Sequence, residues 1–340
     1  MKKIIIYGNC HTGLIIEYLK ACVDFNDKYE ILEIPQIQEI YNSNNMNLDT
    51  IPFQKCDIFI HQSIRINNRY GKDYASQNII RRLKKGCKII SIPNLYGLPL
   101  YLFPQCSKND IEYNGKSYFF RDKIIDSVVK KYFTLDEILE VYNDSSIYNE
   151  DTLNEKWKIF IEKVRKREED WDIKVSDYIN NNRNTPMFHD PNHPNNYFIE
   201  FVVEELCKLL HVTIDISNVR KYITYKLDAY EMPVCASVKS KFNIKCNKQL
   251  IRTSICGRKI CHKDMDLRVY IEQYLVLLWL NGELSQNFTL GKELHKKCKK
   301  EEKMRYLSFV LQRFILRVYK RTIRFLNLKM HCIVSVIKGR

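Results

Sequence analysis

The sequence contains no run of 18 uncharged apolar residues, which excludes an obvious membrane-spanning helix. Its opening stretch, Met1 to Gly8, is too short in apolar residues for a secretory leader and reads as a first buried strand. With no leader ahead of them, the twelve cysteines are expected as free thiols in a reducing cytoplasm. The turn Gly8–Gly13 lacks both the Gly-Lys-Ser/Thr ending of a Walker loop and the Gly-x-Gly-x-x-Gly fingerprint. Nucleotide hydrolysis and dinucleotide redox chemistry are therefore not indicated. Cys235, Cys246, Cys256, Cys261 and His262 do not form paired two-residue knuckles, so no metal is expected. Interleaved basic and aromatic residues are absent, as are internal repeats, and nucleic acid is not an expected partner.

What is present is a chain of 340 residues, 45% apolar and 28% charged, long enough for one large or two ordinary domains. Its net charge of +15 is unevenly placed. Residues 291–340 hold 15 Lys/Arg against 3 Asp/Glu, and the rest of the chain has a basic surplus of only 3. Within that tail Leu307, Val310, Phe314, Val318 and Phe325 share one helical face, while Arg313, Arg317, Lys320, Arg321 and Arg324 gather on another. A basic amphipathic helix over 304–330 suits an anionic membrane surface, which would place a cytoplasmic protein at the inner face of the membrane. Packing against the body with a solvated basic face is the alternative.

The first hundred residues alternate strands with helices. Lys3–Tyr7, Tyr29–Ile34, Asp57–Ile60 and Lys88–Ile92 read as strands. Leu14, Ile15, Tyr18, Leu19 and Cys22 recur at helical spacing, and a further helix is expected over Tyr74–Leu83. This pattern predicts an α/β fold with a doubly wound, mostly parallel sheet of flavodoxin-like or SGNH-like type. From about Phe119 the pattern turns helical: Leu135–Tyr142 behind a Thr134 cap, Leu153–Ile179 with a break near Asp172, Tyr197–Leu210, and Tyr270–Leu280. The expected organisation is a body over 1–215 with a helical insertion at about 119–185, an irregular extension over 216–290, and the tail over 291–340.

Chemistry is suggested at three places. A strand ending in Gly8-Asn9-Cys10 and opening a helix sets Cys10 where backbone N–H groups and the helix dipole favour a thiolate or an anion. Cys10 is then a nucleophile, or it is a small residue packed beneath a tight turn. Asp190-Pro191-Asn192-His193-Pro194 can set a carboxylate beside one imidazole nitrogen and leave the other as a base, or it is a plain Asp/Asn-Pro turn. Gln62 and Asn94 follow the third and fourth strands, where uncharged amides can stabilise an oxyanion or simply cap loops. In such sheets ligands bind at the carboxyl ends of the strands, where all three would meet.

The order of these blocks resembles that of SGNH-type esterases and acyltransferases, which have serine where this chain has Cys10. A closer resemblance is to the WcbI-like family of capsular polysaccharide biosynthesis proteins. It is carried by Tyr7-Gly8-Asn9-Cys10-His11, Asp57-Ile58-Phe59-Ile60-His61-Gln62, Ile92-Pro93-Asn94 and Asn192-His193-Pro194, over about residues 1–215. The resemblance implies binding of coenzyme A and acyl (acetyl) transfer from acyl-coenzyme A to a carbohydrate acceptor. It makes Cys10 the reactive or substrate-contacting thiol and His193 the base, with Asp190 orienting it. Asn9, Gln62 and Asn94 would serve the oxyanion or substrate, while Gly8, His11 and Thr12 would contact the coenzyme. Coenzyme A carries phosphates, and Arg65, Arg69 and Lys72, after the Gln62 strand, are the expected cations. A hydrolase using the same residues, or a coenzyme- or glycan-binding protein without turnover, would share this sequence pattern.

Overall fold

Ile4, Ile5, Ile6 and Tyr7 are all buried, without alternation, as a strand must be when both faces of its sheet are covered. In the computed structural model of the protein, residues 1–43, 47–95, 101–113, 116–129, 134–224, 227, 231–244 and 267–284 are described. Strands β1 (Lys2–Tyr7), β2 (Tyr29–Ile31), β3 (Ile58–Gln62) and β4 (Lys88–Ile92) form one parallel sheet in the order β2-β1-β3-β4. Ile5 stands opposite Phe59, and Phe59 opposite Ile89. The intervening helices are α1 (Cys10–Lys20), α2 (Val23–Lys28), α3 (Ile37–Asn42) and α4 (Ser76–Ile80). The expected α/β fold with a parallel sheet is what the chain adopts. The strand order reverses between β1 and β3, and the crevice at their carboxyl ends is the usual ligand site of such sheets.

Alternation along the strands divides the core. Ile5, Tyr7 and Phe59 pack with Ile37, Ile40, Leu48, Ile51, Phe53 and Ile79 on one face. Ile4, Ile6, Ile58 and Ile60 are buried on the other. Among the described residues, no fifth strand pairs with the outer edge of β4. Instead residues 170–172 run beside it: the Asp172 amide donates to the Ser91 carbonyl (3.0 Å), and the Ser91 amide donates to the Asp172 carboxylate (2.6 Å).

Beyond the sheet, a hairpin of β5 (Cys106–Tyr113) and β6 (Lys116–Asp122) occupies a stretch where the sequence pattern already turns helical at Phe119. The helix starts instead at Lys123, where the buried Asp122 accepts the amides of Ile124 and Ile125. Then follow α5 (Lys123–Val129), α6 (Leu135–Asn143), α7 (Glu150–Glu168), α8 (Ser176–Asn181) and α9 (Asn196–Leu209). Thr134 and Glu137 form the capping box of α6. The break between α7 and α8 spans the expected interruption near Asp172. Short helices α10 (Ile216–Val219) and α11 (Ala236–Phe242) and the apolar α12 (Leu267–Leu280) complete the described chain. The described residues within 1–111 and 116–271 form one compact unit, and those within 112–115 and 272–340 form another. The tail helix expected over 304–330, all of 291–340, and Cys246, Cys256, Cys261 and His262 lie outside the described residues.

Helices α1 and α9 pack together, which matters because Cys10 opens the first and the segment bearing His193 leads into the second. Glu200 of α9 is buried, accepts the Tyr18 hydroxyl of α1 at 2.6 Å, and takes two bonds of 2.6 Å from Arg220. Such a charge-assisted bond contributes about 1.5–3 kcal/mol. Tyr18→Phe is therefore expected to lower the unfolding free energy by about 1.5–3 kcal/mol, read from the urea midpoint at unchanged slope.

Candidate functional site

The turn after β1 is shaped by close packing. A Cβ on Gly8 would lie 2.5 Å from Gln62 Oε1 and 2.7 Å from Thr12 Cγ2, so only glycine fits. Asn9 caps α1: its side chain accepts the His11 amide (3.0 Å) and its carbonyl accepts the Thr12 amide (3.0 Å) and hydroxyl (2.8 Å). The cap starts the helix at Cys10, three residues before the end of the Gly8–Gly13 turn expected from the sequence. Cys10 is thus the first helical residue, part-exposed, and among the described residues its amide has no hydrogen-bond partner.

The Asp190–Pro194 segment is closed on itself like a small hairpin. Phe188 bridges Pro194, the His189 amide donates to the His193 carbonyl (2.9 Å), and the Asn195 amide donates to the Met187 carbonyl (2.8 Å). Asn195 then caps α9 through the Phe198 amide. Asp190 has no exposed surface, and its Oδ1 accepts the amides of Asn192 (2.6 Å) and His193 (2.9 Å). Its Oδ2 lies 2.8 Å from His193 Nδ1. Cys10 lies near enough to the His193 ring to act on its charge. Burial alone would push the His193 imidazole down; the bonds to Asp190 and Cys10, with their negative charges, outweigh it and raise the pKa to about 10. Asp190 and Cys10 therefore both bear on the His193 ring at the carboxyl end of β1.

Gln62, expected to face an oxyanion, is wholly enclosed, and its carboxamide is spent on the protein. Oε1 accepts the Asn9 amide (2.8 Å), and Nε2 reaches the Pro93 carbonyl (3.2 Å) and His11 Nδ1 (3.3 Å). His11 and Thr12, expected to touch the coenzyme, are buried. Asn94 follows β4, and its carbonyl accepts from Arg167 Nη1 (3.1 Å). Arg167, at the end of α7, is a residue that sequence reasoning missed. Burial first, then the neighbouring charge of Arg65, pushes its guanidinium down from the usual value, so two like charges meet beside the end of β4. Arg69 lies over the Tyr70 ring, 4.8 Å from its centroid, and donates to the Tyr70 hydroxyl, while Lys72 is exposed in a short turn. Of the three expected cations, Arg65 is the one that the structure sets beside Arg167.

The seven described cysteines are free thiols. Among the described residues no group of three or more His, Cys, Asp or Glu could hold a metal ion, and no helix is long and apolar enough to cross a membrane.

A family model described as polysaccharide biosynthesis enzyme WcbI matches residues 3–214. The fold is similar to a solved structure of WcbI, described as a novel polysaccharide biosynthesis enzyme in its native form without a disulfide bond between coenzyme A and one of its cysteines. The two share 16% identity at a TM-score of 0.61, covering 86% of this chain and 97% of that one. No curated protein matches the chain.

Two measurements check this geometry. Gly8→Ala forces Cβ into a pinned amide, and a loss of about 1–3 kcal/mol on urea unfolding is expected. In imidazole NMR titrations His193 should titrate near pH 10 and fall toward the usual value in Asp190→Asn. A raised imidazole pKa contributes stability that is full below about pH 6.5 and lost as pH rises through 10. The wild-type protein should therefore lose stability over that window, and His193→Gln should lose less of it.

Proposed function

The chain belongs to the WcbI family of polysaccharide biosynthesis enzymes, and from that premise we propose that it transfers an acyl group, acetyl first among candidates, from acyl-coenzyme A to a hydroxyl of a surface-polysaccharide sugar. What supports this reading is the contact of Asp190 with the His193 ring, with Cys10 near enough to act on the same ring. The WcbI structure is described as native protein without a disulfide bond between coenzyme A and one of its cysteines. Such a bond needs the coenzyme's thiol beside a reachable sulfur, and Cys10 is part-exposed at the crevice where ligands of these sheets bind. Arg65 and Arg167, two like charges brought close, fit the phosphates of the same molecule.

Acyl-coenzyme A would supply a thioester carbonyl and a thiol leaving group. Cys10 Sγ, its proton held on Nε2 of His193, attacks that carbonyl; the unpartnered Cys10 amide at the start of α1 is the donor for the developing oxyanion. His193 then releases its proton to the departing sulfur. Now neutral, the ring takes a proton from the sugar hydroxyl, whose oxygen attacks the acyl-cysteine. Cys10 leaves as the ester forms, and the proton remains on His193. Asp190, fixed by two backbone amides, holds Nδ1–H throughout. The resting imidazolium favours this two-step route over direct attack by the sugar, which needs a neutral base at the outset.

Coenzyme A should raise the thermal midpoint of the wild-type protein. Incubation with acetyl-coenzyme A alone should label the Cys10 peptide with acetyl, seen by mass spectrometry. Cys10→Ala and His193→Ala should each reduce transfer to a carbohydrate acceptor by roughly 10²-fold or more. Acetyl ester hydrolysis with no response to coenzyme A would identify a hydrolase instead. Coenzyme binding with no turnover on any acceptor would identify a binding protein.

A further inference from the structure

We infer that His11 is a neutral positioning residue that ties the loop carrying Asp190 and His193 to the helix end carrying Cys10, an inference resting on the reading of Cys10 and His193 as the reacting pair. The ring is 3% exposed and packed where a coenzyme contact was expected. Its Nε2 lies 2.8 Å from the Asn192 carbonyl, which can only accept, so Nε2 carries the hydrogen. A neutral ring then has a bare Nδ1, which accepts from Gln62 Nε2 at 3.3 Å. That fixes the orientation of the Gln62 amide and leaves its Oε1 to accept the Asn9 amide, as it does at 2.8 Å. Donors and acceptors agree along the whole path from Asn192 through His11 and Gln62 to Asn9. Each end of the path is next to a reacting residue: Asn192 precedes His193, and Asn9 precedes Cys10.

Charge supports the same assignment. Burial pushes His11 down to about 4; the Asn192 carbonyl opposes this, and the nearby charge of His193 adds to it. The ring centroids of His11 and His193 are 6.4 Å apart, with planes at 70°. A protonated His11 would point a second N–H at the Gln62 amino group and set a second cation beside the His193 imidazolium. Held neutral, it links the two segments and leaves the charge on His193 alone. The groups around the ring are the uncharged Gln62 amide and Asn192 carbonyl, with His193 as the titratable neighbour.

The test reads Cys10 without needing a substrate. Iodoacetamide alkylation of the Cys10 peptide is followed by mass spectrometry from pH 5 to 9 in folded wild-type protein and variants. His11→Leu keeps bulk but offers no hydrogen bond, and it should slow alkylation at pH 6 by about tenfold or more, because the pair loses its alignment. His11→Gln offers one N–H donor and one oxygen acceptor on a single amide, and it should restore the profile to within about twofold. Unchanged alkylation in His11→Leu, or a His11→Gln variant as slow as His11→Leu, would overturn the inference. Should His11→Leu not fold, ¹⁵N NMR of the wild-type ring decides: a protonated Nε2 with bare Nδ1 down to pH 5 supports it, and the other tautomer, or titration near neutrality, overturns it. His193→Gln separates the two readings. If it alkylates like wild type, the pair itself is wrong, whatever His11 does.

Discussion

Because the Gln62 side chain is wholly buried, each of its hydrogen-bonding groups has to find a partner inside the protein. The partners are the turn after β1, the chain just past β4, and the ring of His11. An amide group of this kind left unmatched costs about 1–3 kcal/mol, so the carboxyl ends of three strands are held at fixed offsets by one side chain. Gly8 is glycine for the same reason, since the Gln62 oxygen already occupies the place of a Cβ. The segments carrying Cys10 and His193 are both tied to this enclosed amide, one through Asn9 and the other through His11 and Asn192.

The sheet was the most legible part of the sequence. β4 falls on the residues expected, and β1 and β3 depart by one or two residues at an end, because runs such as Ile4–Tyr7 and Ile58–Ile60 can satisfy themselves only when covered on both faces. The helix α9 and the Thr134 capping box were equally readable, through amphipathic spacing and reciprocal capping. The β5–β6 hairpin was not read, although Asn114-Gly115 between two β-prone runs is a turn signal of known type. The helical pattern beyond Lys123 overshadows the aromatic run Tyr118-Phe119-Phe120 that precedes it.

At the site, residue identity was easier to read than residue role. Cys10, His193 and Asp190 were visible because strand-end placement and proline-bounded spacing are local properties. Whether Gln62 presents its amide outward or inward is decided by backbone and side-chain groups up to 53 positions away, and no local pattern carries that. Arg167 was hidden among the alternating charges of α7, where a cation that turns toward Asn94 looks the same as one in solvent.

The covering of β4 has a consequence outside the candidate site. Its outer side is met by a short crossing of the α7–α8 connection, where Asp172 uses both its backbone and its carboxylate on Ser91. Naked strand rims recruit whatever extended peptide drifts past, and a four-stranded layer that ends in an isoleucine-rich ribbon would be a willing template. By pairing with Ser91, the connector leaves less of that rim open to a passing strand.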